Sequence, residues 1–141
     1  MSHRFFDHTA DVGVAIDAAS LDALFAEAAV ALTETITHRQ AVEGVLERRF
    51  ELVASDLETL LVDWLNELVY VFEVDRQLFA EAAVRVAAAA GGRRLTAIAR
   101  GEVWDPERHP VTVLVKAVTH HGLEVTGRPD GTWSARVLFD V

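Results

Sequence analysis

The order of patterned segments predicts an α+β fold of two layers, a mostly antiparallel sheet with two helices packed on one face. Three observations carry that prediction. Two stretches repeat apolar residues at helical spacing, most of the remainder alternates like strands between Gly- and Pro-bearing turns, and two helices are too few to cover both faces of so large a sheet. At 141 residues, with 51% apolar and 25% charged, the chain is long enough to bury its own core as one domain, 1–141.

Residues 4–18 read as strand, interrupted by the polar His8-Thr9-Ala10-Asp11. Ser20 is a good N-cap for a first helix that sets Leu21, Leu24, Phe25, Ala28, Leu32 and Ile36 on one face, and Asp22, Glu27 and Glu34 on the other. Residues 42–53 form a strand between the helices. The second helix opens with Ser55-Asp56-Leu57-Glu58, a capping box pairing Ser55 with Glu58. Leu57, Leu60, Leu61, Trp64, Leu65, Leu68 and Phe72 then recur at 3–4 spacing. Burial of such a stripe contributes roughly 10–20 kcal/mol before entropy is subtracted.

Residues 78–90 and 94–104 flank Gly91-Gly92, a hairpin signal, and the Val84-Arg85-Val86 alternation argues for strand over helix in the adjoining alanines. Strands follow at 111–118 and 123–126, parted by a His120-His121-Gly122 turn. Pro129-Asp130-Gly131 then turns the chain into a last strand, 133–141.

Composition removes several function classes. The net charge of −9 and the lack of a basic stripe disfavour direct, stable nucleic-acid binding and favour a cation or a basic protein partner. The absence of cysteine excludes disulfides, thiol chemistry and thiolate metal sites. Neither a signal peptide nor an apolar run of membrane-spanning length is present, so a cytoplasmic location away from membranes is expected. No Gly-rich phosphate loop, H-E-x-x-H or G-x-S-x-G motif occurs.

Four features carry candidate chemistry. His8-Thr9-Ala10-Asp11 is either a plain turn or a place where Asp11 offers an oxygen ligand beside His8. The end of the sequence, Leu138-Phe139-Asp140-Val141, follows an apolar strand directly. It would place the Asp140 carboxylate and the Val141 carbonyl and terminal carboxylate within a few ångströms of one another. If the first strand lies beside the last, Asp11 joins them. Clustered carboxylates repel, and a hard divalent cation such as Ca²⁺ or Mg²⁺ is the simplest compensation. Lys116 is the only lysine among 13 basic residues. It alternates with apolar neighbours and should point away from the core; a compact ammonium is not replaced by a planar guanidinium. Of His120 and His121, adjacent on a strand, at most one faces any site.

Five ordered motifs, FFDHTADVGVAI, LLVDWLNELVYVFE, RGEVWDPERHP, VKAVTHHGLEV and RVLFDV, span practically the whole chain. Together they resemble the archease family. The resemblance implies a sheet with two helices on one side. It also implies an activator rather than an enzyme: an accessory protein of the GTP-dependent RtcB-type RNA ligase of tRNA splicing and RNA repair, promoting its guanylylation and turnover. By the same resemblance, Asp11, Asp140 and Val141 fall on the family's metal site, with calcium expected and magnesium the alternative. His8, Lys116 and His121 fall where the partner is engaged. His120 stands where the family pattern leads one to expect tyrosine, so a contact made by that ring would differ here. Two other readings are a chaperone-like modulator of an RNA methyltransferase and a stand-alone metal-dependent hydrolase.

Overall fold

The structure, a computed structural model, describes residues 2–8 and 11–141, with only the backbone of Asp7 and His8. Its elements run β1 (Ser2–His8), β2 (Asp11–Ala18), α1 (Leu21–Ile36), β3 (Leu46–Ala54), α2 (Leu57–Asp75), β4 (Gln77–Ala89), β5 (Gly92–Val103), β6 (Ala117–Gly127) and β7 (Trp133–Asp140), with a short 3₁₀ turn at Arg39–Ala41. The α+β expectation holds, and the strand pairings are all antiparallel.

The strands, expected in one sheet, divide into two: β1-β2-β7-β6 and β3-β5-β4. The physical reason lies between β5 and β6. Residues 111–116, expected as strand, are not one, and only from Ala117 does the chain enter a ladder. Pro110 has no donor to give, and the Thr112 N–H goes instead to the Ile36 carbonyl at the end of α1 (2.8 Å). No strand is left to bridge the two sheets. The helices do so: α1 packs on β4 and β2, and α2 on β6 and β3. Buried residues of both sheets and both helices form one apolar cluster that includes Ile16, Phe25, Phe50, Trp64, Leu95 and Phe139.

Helix α1 starts where expected, the Ser20 hydroxyl accepting the Ala23 N–H at 3.1 Å. Its supposed polar face is less solvated than the pattern implies. Glu27 is buried, because His3 of β1 lies between the carboxylates of Glu27 and Glu34, one at each ring nitrogen. Helix α2 lacks the expected capping box. Its N-cap is Asp56, whose carboxylate accepts the Thr59 N–H at 2.7 Å, while Ser55 donates to Asp56. An ionised oxygen outcompetes a hydroxyl for a helix-end donor. The apolar stripe of α2 is buried as read from Leu60 to Phe72, with Leu57 only half-buried in the first turn, and the Trp64 indole donates to the Phe25 carbonyl of α1 at 3.0 Å.

The Gly91 hairpin forms with a positive φ of 75°. The expected turn at His120-His121-Gly122 is an irregularity inside a continuous β6, whose register with β7 shifts between Thr119 and Glu124. Gly122, with φ 66°, takes the left-handed conformation there.

Candidate functional site

At one end of the β1-β2-β7-β6 sheet, register gathers residues from four strands into a row. His8 pairs with Asp11, Asp11 with Asp140, and Asp140 with Ala117. Register partners on antiparallel strands share a face, so Asp11 and Asp140 lie on the outer face, opposite to the helix-covered side that buries Val14, Val137 and Phe139. Partners of this kind have Cβ atoms about 5 Å apart, a spacing at which two carboxylates repel and one small cation can touch both. Asp11, Asp140 and Val141 are all half-buried.

Lys116 joins the row through its backbone, its N–H donating to the Asp140 carbonyl at 2.8 Å. Its side chain is exposed, and Val115 beside it is buried. The adjoining Val118 is clamped from α2: Asn66 donates to its carbonyl at 2.9 Å and accepts its N–H at 2.8 Å. An amide thus replaces a missing strand on the β6 edge and ties the position of Lys116 to the rigid helix.

Upstream of Lys116 in the chain, the segment 104–110 is pinned by a network of its own. The Asp105 N–H donates to Nδ1 of His109 at 2.9 Å, so that nitrogen carries the lone pair and Nε2 carries the proton. Nε2 faces the Glu102 carboxylate at 2.5 Å and the Ala41 carbonyl at 3.0 Å. Arg108 covers the same carboxylate, and the Trp104 indole donates to the His109 carbonyl at 2.8 Å. Burial pushes the Glu102 carboxyl up, but the Glu43 N–H, His109 and Arg108 outweigh it and hold the group below its ordinary value. This buried clasp within RGEVWDPERHP was not singled out from the sequence. Its one legible sign was a histidine between Arg108 and Pro110, where no amphipathic pattern asked for one.

Not every candidate joins the row. The side chain of His8, and Thr9 and Ala10, lie outside the described residues. His121 is exposed in the stretch where the β6–β7 register shifts, apart from the Asp11–Asp140–Ala117 register row. His120 lies near Asp56 at the start of α2; the Thr59 N–H holds that carboxyl below its ordinary value, with His120 the least of the contributors.

Among the described residues, no group of three or more His, Cys, Asp or Glu is close enough to hold a metal ion. What the row offers is the carboxylate oxygens of Asp11 and Asp140. These are hard oxygen donors that suit Ca²⁺ or Mg²⁺ and leave part of the coordination shell to water or to a partner. Among the described residues no helix is long and apolar enough to cross a membrane.

Residues 3–141 match the model of the archease protein family. The chain belongs to the archease family. It is 37% identical to the archease of Methanosarcina mazei over 140 residues, 99% of this chain and 95% of that one. With the archease of Methanopyrus kandleri it shares 40% over 135 residues, 96% of each chain. The solution structure of Methanobacterium thermoautotrophicum protein 1598 superposes with a TM-score of 0.83 at 35% identity, covering 99% of this chain and 98% of the other. The crystal structure of the Thermotoga maritima archease, described as a possible chaperone, has the same fold at 19% identity, with a TM-score of 0.64 over 96% of this chain and 94% of that one.

Proposed function

We propose that this archease is an accessory protein, not itself an enzyme, that activates an RtcB-type RNA ligase by promoting its guanylylation and turnover. The observation that carries the reading is the row in which Asp11 and Asp140 face each other while Lys116 is bonded to the Asp140 backbone. A carboxylate pair on the rim of a rigid sheet, tied through its backbone to the residue that carries an exposed ammonium, suits positioning rather than covalent chemistry. A divalent cation, calcium foremost and magnesium second, would be held by Asp11, Asp140 and the Val141 carbonyl, and would supply fixed positive charge at the contact. Lys116 extends that charge toward the partner. Asp11 and Asp140 hold it in place through the β2–β7 pairing, which also keeps the two carboxylates from separating. His8 and His121 are the remaining residues we assign to partner contact.

Guanylylation of the purified ligase, measured with and without this protein, tests the reading. Asp11→Asn keeps the shape and removes one charge. It is expected to weaken cation binding and to lower activation about tenfold while the fold stays cooperative. Wild-type activation by that variant removes Asp11 from the site. No stimulation by the wild-type protein removes the ligase reading altogether.

A further inference from the structure

The same outer sheet face carries a second constellation, about 13 Å along β2 from Asp11. Register places Arg4, Ala15, Arg136 and Glu124 in one row across the sheet. A cavity of about 130 Å³ opens there, lined by Arg4, Arg128, Arg136 and Ser134 together with Asp17 and Glu124. Three arginines thus converge in a protein of net charge −9.

The three are held in different ways. Asp17 accepts Arg128 on one oxygen at 2.7 Å and Arg4 on the other at 3.3 Å, which spreads these two guanidinium groups apart as walls. Arg128 is braced further by the Thr132 hydroxyl at 3.2 Å. Arg136 makes no ion pair among the described residues, although Glu124 is its register partner. Its guanidinium carbon lies 4.2 Å over the Phe6 ring. That ring in turn occupies the space a side chain on Gly13 would fill. A cation–π stack uses the face of the guanidinium and leaves its N–H edge for an acceptor. Three arginines against two carboxylates leave one positive charge in excess, with Ser134 adding a hydroxyl and Ala15 keeping the floor low.

We propose that this pocket binds a phosphate group, either as the free ion or as the terminal phosphate of a polynucleotide. Donors arriving from three directions match a tetrahedral oxyanion better than a planar carboxylate, whose place Asp17 already takes. The volume admits a phosphoryl group and leaves any attached nucleoside outside. Glu124 opposes the ligand and sets the affinity low.

Amide chemical shifts of the isolated protein at low ionic strength test this, with no ligase present. The titrants are inorganic phosphate, a 5′-phosphorylated oligoribonucleotide and its 5′-hydroxyl twin. Saturable shifts centred on Arg4, Ala15, Ser134 and Arg136 are expected. Arg136→Gln and Arg128→Gln should each weaken binding about tenfold, and Glu124→Gln should strengthen it severalfold, with the remaining spectrum unchanged. Preference for the phosphorylated oligonucleotide over its twin identifies a terminal phosphate as the ligand; saturation by inorganic phosphate alone identifies the free ion. Shifts that fail to saturate, that ignore all three substitutions, or that move to Arg49 and Arg85 on the other sheet overturn the proposal.

Discussion

Lys116 is where backbone and side chain serve different ends. Its N–H closes the bond to Asp140 that starts β6, so the main chain is fixed, while the exposed ammonium remains available. Asn66 at Val118 stiffens that anchor from α2. A lysine contributes a compact point charge on a flexible stem, whereas arginine brings a broad planar fork with its own geometric demands. In the ligase assay, Lys116→Arg is therefore expected to lower activation severalfold, and Lys116→Ala about tenfold or more, the loss of one charge-assisted bond. Chemical denaturation should show both variants within about 0.5 kcal/mol of the parent, because an exposed side chain is removed. Full activation by both variants would leave Lys116 with only its backbone role.

At the scale of elements, the clasp of Glu102, Arg108 and His109 decides where the chain leaves β5 and reaches β6. Glu102 has its carboxyl held below the ordinary 4.5, so its stabilising contribution is present above that pH and is lost as pH falls through the lower folded-state value. Glu102→Gln keeps an acceptor for His109 and removes the charge, and should cost about 1–3 kcal/mol near neutral pH. Urea denaturation of both proteins should show the gap closing below about pH 4.5, since the parent then loses what the variant never had; a constant gap would mean that the charge is not the stabilising feature. The same segment shows why the fold was only partly legible. Both helices and the Gly91 hairpin follow local pattern, whereas the Asp11–Asp140 juxtaposition was conditional on the first strand lying beside the last, a long-range pairing that the β2–β7 register supplies. The division into two sheets depends on Thr112 bonding the end of α1 and on His109 reaching Glu102, pairings between residues whose local sequence reads as strand or turn. The arginine pocket was equally hidden. Arg4, Arg128 and Arg136 belong to three separate segments, and only the register of β1, β2 and β7, together with the turn that carries Arg128, brings them to one cavity.

Over the whole molecule the net charge is −9, and the arginine pocket gathers positive charge on one face of a sheet within it. A field of that sign attracts a basic partner over about one Debye length, roughly 10 Å at 0.1 M salt and 3 Å at 1 M. For the proposed ligase complex this acts on encounter more than on the docked state, where contacts are short and water is partly excluded. Between about 0.05 and 0.5 M salt, the association rate measured by stopped flow should fall tenfold or more, and the dissociation rate should change far less. Asp63→Asn with Glu73→Gln, two exposed charges on α2 outside the proposed site, tests the cause. The double variant should associate more slowly at low salt and approach the parent's rate at high salt, because screening erases the difference. An association rate that is flat across the salt range would mean that docking is driven by shape and apolar contact, and that the net negative charge serves solubility alone.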